Sequence, residues 1–112
     1  MVKLSELRIG NWLDWWNPMS GEFTKHQYHH TDNYLDIDAY CYPIKLTKEI
    51  LNNCGFATPN NMQDTVFFKD NVMLDLHKGL FKLRDFGTII SSVHEIQNLY
   101  FAINYKELNI KF

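Results

Sequence analysis

Cysteine, proline and glycine are all scarce in this chain, at two, three and five of 112 residues. Two cysteines cannot build the disulfide framework of a small secreted domain, nor the paired Cys-x-x-Cys half-sites of a structural zinc module. So few prolines and glycines exclude collagen-like, linker-rich and low-complexity architectures. Charge of one sign is missing too. Eleven Lys and Arg stand against thirteen Asp and Glu, a net charge of −2, which leaves no cationic field for non-specific nucleic-acid binding. No apolar run approaches 18 residues, so no membrane span is expected. The opening Met1-Val2-Lys3-Leu4-Ser5-Glu6 has no apolar core of a secretory signal. These absences together predict a cytoplasmic protein in which Cys41 and Cys54 are free structural thiols.

What the chain does contain is apolar and aromatic bulk. Hydrophobic residues make up 46% and aromatic residues 15%, enough for one domain spanning residues 1–112 to close a core. The C-terminal region carries the strongest pattern. Ser92 and Glu95 fit a Ser-x-x-Glu capping box. Beyond them Val93, Ile96, Leu99, Tyr100 and Ile103 recur at spacings of three and four, the stripe of a buried helix face. Leu99 and Ile103 are expected to be nearly buried. Asn104 is the expected left-handed end of this helix, and Glu107–Phe112 alternates like a short strand.

Elsewhere strands dominate. Leu4–Leu7 reads as one turn, and Trp12–Trp16 and Glu22–Tyr28 as a hairpin around Asn17–Gly21. The alternation of Leu35, Ile37, Ala39 and Cys41 predicts a strand over Tyr34–Tyr42. Thr47 is a helix N-cap and Gly55 a helix stop, giving a helix over Thr47–Cys54. Thr58–Asp64 reads as a polar loop. Thr65–Lys69, Val72–Leu76 and Leu80–Leu83 read as strands joined by turns, with a short strand over Thr88–Ser91. The class is therefore α+β: an antiparallel curled sheet, with an SH3-like N-terminal part, packed against two short helices.

Three blocks carry a family resemblance: Glu6–Trp12, Tyr42–Leu51 with Cys54-Gly55-Phe56, and Val93–Ala102 followed by Lys106-Glu107-Leu108. In this order they resemble the opening, central and C-terminal motifs of a group of small uncharacterised proteins encoded in Bacteroidota genomes and their prophages. The chain departs from that pattern between Trp15 and Tyr34, and at Tyr105, where the group usually has glycine. No activity is attached to the group. The resemblance implies an intracellular bacterial or phage setting and a shared fold, and assigns no site residue.

Candidate chemistry is confined to two places. His26, His29, His30 and Asp32 fall within seven positions, and imidazole and carboxylate suit zinc-type metals when three or four converge. No fourth ligand is marked by spacing, and no cofactor motif is present. The aromatic residues Trp12, Trp15 and Trp16 with Phe23, Tyr28 and Tyr34 concentrate in the first third, and Trp12, Trp15, Trp16 and Tyr28 are the candidate binding residues. On a strand Trp12 and Trp16 share one face while Trp15 takes the other, so at least one tryptophan packs under a loop or meets a partner; an aromatic binding surface and large side chains that fill the core are the two readings. His94 has no nucleophile or second acid marked as its neighbour, and no catalytic set is spaced along the chain. The composition therefore favours a non-enzymatic binding or accessory protein with a protein partner or self-association. Metal binding at the histidines and a single-stranded nucleic-acid-binding barrel stand as alternatives.

Overall fold

The structure, a computed structural model, describes residues 2–59 and 65–112. It is α+β, with two antiparallel sheets and three α-helices. The loop expected over Thr58–Asp64 lies outside the described residues from Asn60 onward. Contacts divide the chain into two units, Met1–Lys45 with Ser92–His94, and Leu46–Ser91 with Glu95–Phe112.

In the first unit, a 3-10 turn over Leu4–Glu6 precedes the hairpin of β1 (Trp12–Asn17) and β2 (Glu22–Gln27). Each end of this hairpin is set by a glycine. Gly21 (φ 69°) donates its N–H to the Asn17 carbonyl at 2.8 Å and closes the four-residue loop. At the other end Gly10 (φ 98°) donates to the Tyr28 carbonyl while Tyr28 donates to Asn11. Both positions need a left-handed residue, which glycine supplies without a Cβ penalty, and Gly10 with Asn11 opposite Tyr28 makes a bulge. They fix the register Trp12↔Gln27 through Asn17↔Glu22. On the other side of β1 lies β3 (Cys41–Tyr42), with Trp15 opposite Cys41, so the sheet order is β2-β1-β3. Val2, Leu13, Ile37 and Cys41 form the buried cluster, with Leu7, Trp15 and Tyr28 packed against it. Each such aliphatic side chain contributes roughly 1.5–3 kcal/mol by leaving water.

The strand expected over Tyr34–Tyr42 is corrected here. Residues Tyr34–Tyr40 form a helix, α1, and only Cys41 and Tyr42 are extended. The Asn33 side chain accepts the Leu35 N–H at 2.8 Å, and Asp36 sits in the first turn, two features that favour a helix start. The apolar residues fit both periods. Ile37 and Cys41 are four apart and both buried, whereas Leu35 is 61% exposed. The described residues thus form three α-helices where two were expected.

In the second unit, α2 (Lys48–Asn53) starts at Thr47, whose hydroxyl accepts the Ile50 N–H. Strands β4 (Val66–Lys69), β5 (Val72–His77), β6 (Leu80–Leu83) and β7 (Ile89–Ile90) follow in consecutive order in one sheet. The β4–β5 turn puts Asp70 and Asn71 at φ 46° and 71°, and the β5–β6 turn puts Lys78 and Gly79 at 52° and 77°. Positive φ at both central residues marks the two-residue turn whose twist matches a hairpin. The buried faces present Val66, Phe67, Val72, Leu74 and Phe81, with the Phe67 and Phe81 rings edge-on at 5.7 Å.

Helix α3 (Val93–Asn104) is where expected, but its buried side is rotated. Val93, Ile96 and Tyr100 are fully buried, and His94 and Gln97 are buried with them. Leu99 is only half-buried and Ile103 is exposed, contrary to the stripe drawn from hydrophobicity. The Tyr100 hydroxyl donates to the Asp70 carboxylate, which Lys106 also approaches at 3.5 Å. Burial and the Asp70 carboxylate push the Tyr100 phenol up to about 12. The left-handed residue after the helix is Tyr105 (φ 57°), not Asn104, which is still helical. The tail after it is not a strand. It holds on through the buried Leu108 and a Lys111 backbone hydrogen bond to Cys54.

Both cysteines are free and buried. Burial, with Asp32 and Asp36 adding to it, pushes the Cys41 thiol up to about 11. Burial also raises Cys54. Neither has the low pKa of a reactive thiol.

Candidate functional site

The register of the first sheet sorts its side chains into two sets. Trp12, Asp14 and Trp16 of β1 stand on one face with Gln27, Lys25 and Phe23 of β2 opposite them, and Tyr42 of β3 opposite Asp14. Leu13 and Trp15 take the other face with His26, Thr24 and Cys41. Leu13 and Cys41 are fully buried, so the second face is the core side, and the first is the outer side of the sheet.

The outer face is aromatic and continuous. The Trp16 and Phe23 rings lie 4.9 Å apart, and the Phe23 and Tyr42 rings meet edge-on at 5.6 Å across β1. Phe23 is 51% exposed, while Trp12, Trp16 and Tyr42 are half-buried. Lys25 Nζ sits 2.7 Å from Asp14 Oδ1 on the same face, which leaves a polar pair among the rings. Met19, at the hairpin tip, is 94% exposed.

The sequence-derived aromatic candidates therefore separate. Trp12 and Trp16 are on the outer face. Trp15 and Tyr28 pack against the core cluster, and Trp15 also stacks on Tyr40 at 6.1 Å and meets the His26 ring edge-on at 4.9 Å. Phe23 belongs to the aromatic concentration of the first third but is not one of those candidates, and Tyr42 was not singled out from the sequence. The signal for Phe23 was available, because the Asn17–Gly21 turn sets it directly across from Trp16.

The histidine-rich segment bonds to itself. Asp32 Oδ2 lies 2.8 Å from His26 Nε2 and accepts the His29 N–H at 2.8 Å. Burial pulls the Asp32 carboxyl upward, but the His29 amide and the His26 ring outweigh it and hold the group below its ordinary value. His29 Nδ1 pairs with Thr31 Oγ1 at 2.8 Å, and the His29 and His30 rings lie 4.2 Å apart. Among the described residues, no three His, Cys, Asp or Glu side chains gather as a group that could hold a metal ion.

A second polar set involves His94. Its Nδ1 is 3.1 Å from Ser92 Oγ and its Nε2 is 3.5 Å from Glu6 Oε2. The order serine, imidazole, carboxylate is that of an acyl-transfer triad. Ser92 and His94, however, are each only 2% exposed, and a nucleophile must reach its substrate. The set ties the first 3-10 turn to the start of α3, because Glu6 also accepts the Lys3 N–H at 3.1 Å.

In the second unit, an open cavity of about 430 Å³ is lined by Met73, Leu83, Phe86 and Ile103 with Arg84 and Asp85. The Arg84 guanidinium is held by Asp75 through two bonds, at 2.5 and 3.1 Å. It is thus committed to a carboxylate of its own sheet.

No family model matches the chain, and no curated protein or solved structure does so either.

Proposed function

We propose that this is a small non-enzymatic binding or accessory protein of the bacterial cytoplasm, of phage-related origin, that engages a protein partner through the outer face of its first sheet. The observation that carries this reading is the contiguous set Trp16, Phe23 and Tyr42, drawn from three strands onto one face, with half of Phe23 open to solvent. Rigid aromatic side chains bury much area at small entropic cost, so they act as anchors in protein interfaces. A stacking platform for single-stranded nucleic acid needs cations that follow the phosphates. Lys25, which lies on this face, is already held by Asp14, and the net charge is −2.

The phage and Bacteroidota kinship is supported by how the three resembling blocks meet. Glu6 of the opening block lies against His94 of the C-terminal block, and the Ile44 carbonyl of the central block accepts the Val93 N–H at 2.9 Å. Tyr105 adopts a left-handed conformation where the resembled group carries glycine, the residue best suited to that backbone.

The double substitution Trp16→Ser with Phe23→Ser tests the reading. It is expected to weaken capture of the partner from native-host lysate by at least about 30-fold, the effect of losing interface anchors worth about 2 kcal/mol or more. Far-UV circular dichroism of the variant should match wild type. Undiminished capture by a folded variant overturns the proposal.

A further inference from the structure

Strand β2 is an edge strand. Its single strand neighbour among the described residues is β1, and Glu22, Phe23, Thr24, Lys25 and Gln27 are all exposed. It contains no proline and no bulge between Glu22 and Gln27. Such an edge is a template for another strand.

The hairpin geometry tells which backbone groups point outward. At one end Tyr28 exchanges hydrogen bonds with the Gly10–Asn11 bulge, and at the other Gly21 bonds back to Asn17 beside the Asn17↔Glu22 pair. Both ends put the even-numbered residues of β2 in the bonded positions toward β1. The ladder alternates, so the N–H and C=O groups of Phe23, Lys25 and Gln27 point away from β1, toward the open edge.

We propose that β2 is an interface between two copies of this chain, which pair antiparallel about a two-fold axis at Thr24. Registers that continue the sheet with the aromatic faces on the same side place residues of equal parity opposite one another. Pairing about Lys25 sets two ammonium groups face to face, and pairing about Phe23 leaves only Glu22–Thr24 of the strand in the ladder. Pairing about Thr24 sets Phe23 opposite Lys25 twice, Glu22 opposite His26 twice, and threonine opposite threonine. A cation over a ring and a Thr–Thr pair are each favourable cross-strand partners. Phe23 and Lys25 then form the hydrogen-bonded pairs, and Thr24 the close non-bonded pair on the axis. The resulting sheet has the order β3-β1-β2-β2-β1-β3 and sets two aromatic outer faces side by side. This pairing goes beyond the partner-binding reading, and self-association is read independently of partner capture. A ladder this short falls at the small end of specific interfaces, so the dimer forms in a concentration-dependent way.

Cysteine scanning of the full chain tests it. Thr24→Cys is expected to cross-link into a disulfide dimer under mild oxidation at least about tenfold faster than Phe23→Cys or Lys25→Cys, because only Thr24 meets its own copy. The two native cysteines are buried and do not compete. Lys25→Pro removes an outward N–H, a change that an edge strand tolerates. It is expected to weaken wild-type self-association about tenfold or more in sedimentation velocity. Cross-linking of Thr24→Cys no faster than Ser20→Cys at the hairpin loop overturns the interface. Preferential cross-linking of Lys25→Cys overturns the register, and an unchanged sedimentation profile for Lys25→Pro overturns the backbone pairing.

Discussion

Replacing Tyr100 with alanine is expected to be the most damaging single truncation in the second unit, costing about 3–5 kcal/mol, as for other large aromatic-to-alanine changes in cores. Tyr100 is 1% exposed and the largest of the fully buried side chains. Its removal leaves a void that close packing cannot refill without strain. It also deletes the hydroxyl that donates to Asp70 at the β4–β5 turn. The neighbours on α3 give the contrast. Leu99→Ala should cost less than about 2 kcal/mol, since that side chain is half-buried and truncation costs scale with what is lost from a packed site. Ile103→Ala, at a residue 37% exposed, should cost less again. Urea denaturation of the three variants reads this order directly. A Leu99→Ala protein as unstable as Tyr100→Ala would contradict the orientation of α3.

Ile37→Ala is expected to be the decisive truncation in the first unit, costing about 2–4 kcal/mol. Ile37 is the buried residue of α1 and belongs to the cluster with Val2, Leu13 and Cys41. Leu35→Ala should stay within about 0.5 kcal/mol, the usual range for surface substitutions, because Leu35 is 61% exposed. In a strand Leu35 and Ile37 would share a face and their truncations would cost alike. The pair thus separates helix from strand by denaturation alone. Equal costs at both positions would return the segment to a strand.

The same two elements show how much of the fold was legible in the sequence. Hairpins were legible because turn chemistry and alternation agree: Asp70-Asn71, Lys78-Gly79 and the Asn17–Gly21 loop sit where the turns are. The helix over Lys48–Asn53 was legible from Thr47 and Gly55. Segment Tyr34–Tyr40 misled because four alternating apolar residues also match a period of 3.6, and the capping role of Asn33 decides between the periods. On α3 the hydrophobic stripe pointed to Leu99 and Ile103, yet His94 and Gln97 took the buried places. Hydrogen bonding explains the histidine. Ser92 and Glu6 lie at its two ring nitrogens, and a paired polar group can be buried at little cost. Glu6 is 88 residues distant in sequence, so no local pattern announces it.

The candidate site was legible in part. Period two placed Trp12 and Trp16 together and Trp15 apart, as the register has it. Phe23 and Tyr42 join that face through pairing between strands, and β3 is brought beside β1 only after α1 has intervened. Clustering in sequence drew attention to His26, His29 and His30, but they are turned to partners of their own, with Asp32 and Thr31 taking up two of the rings.

The central claim is that the outer face of the first sheet is an aromatic surface open to a partner, and quenching of tryptophan fluorescence by iodide tests it most directly. Single-tryptophan proteins are needed, one keeping Trp16 (Trp12→Phe with Trp15→Phe) and one keeping Trp12 (Trp15→Phe with Trp16→Phe). Both residues lie half-buried on that face, so iodide should quench the emission of each in the folded protein, with the Phe23→Ala change increasing access to Trp16, whose ring lies 4.9 Å from that of Phe23. Emission from both proteins that iodide leaves unchanged until the chain is unfolded would show the face to be closed and would contradict the account.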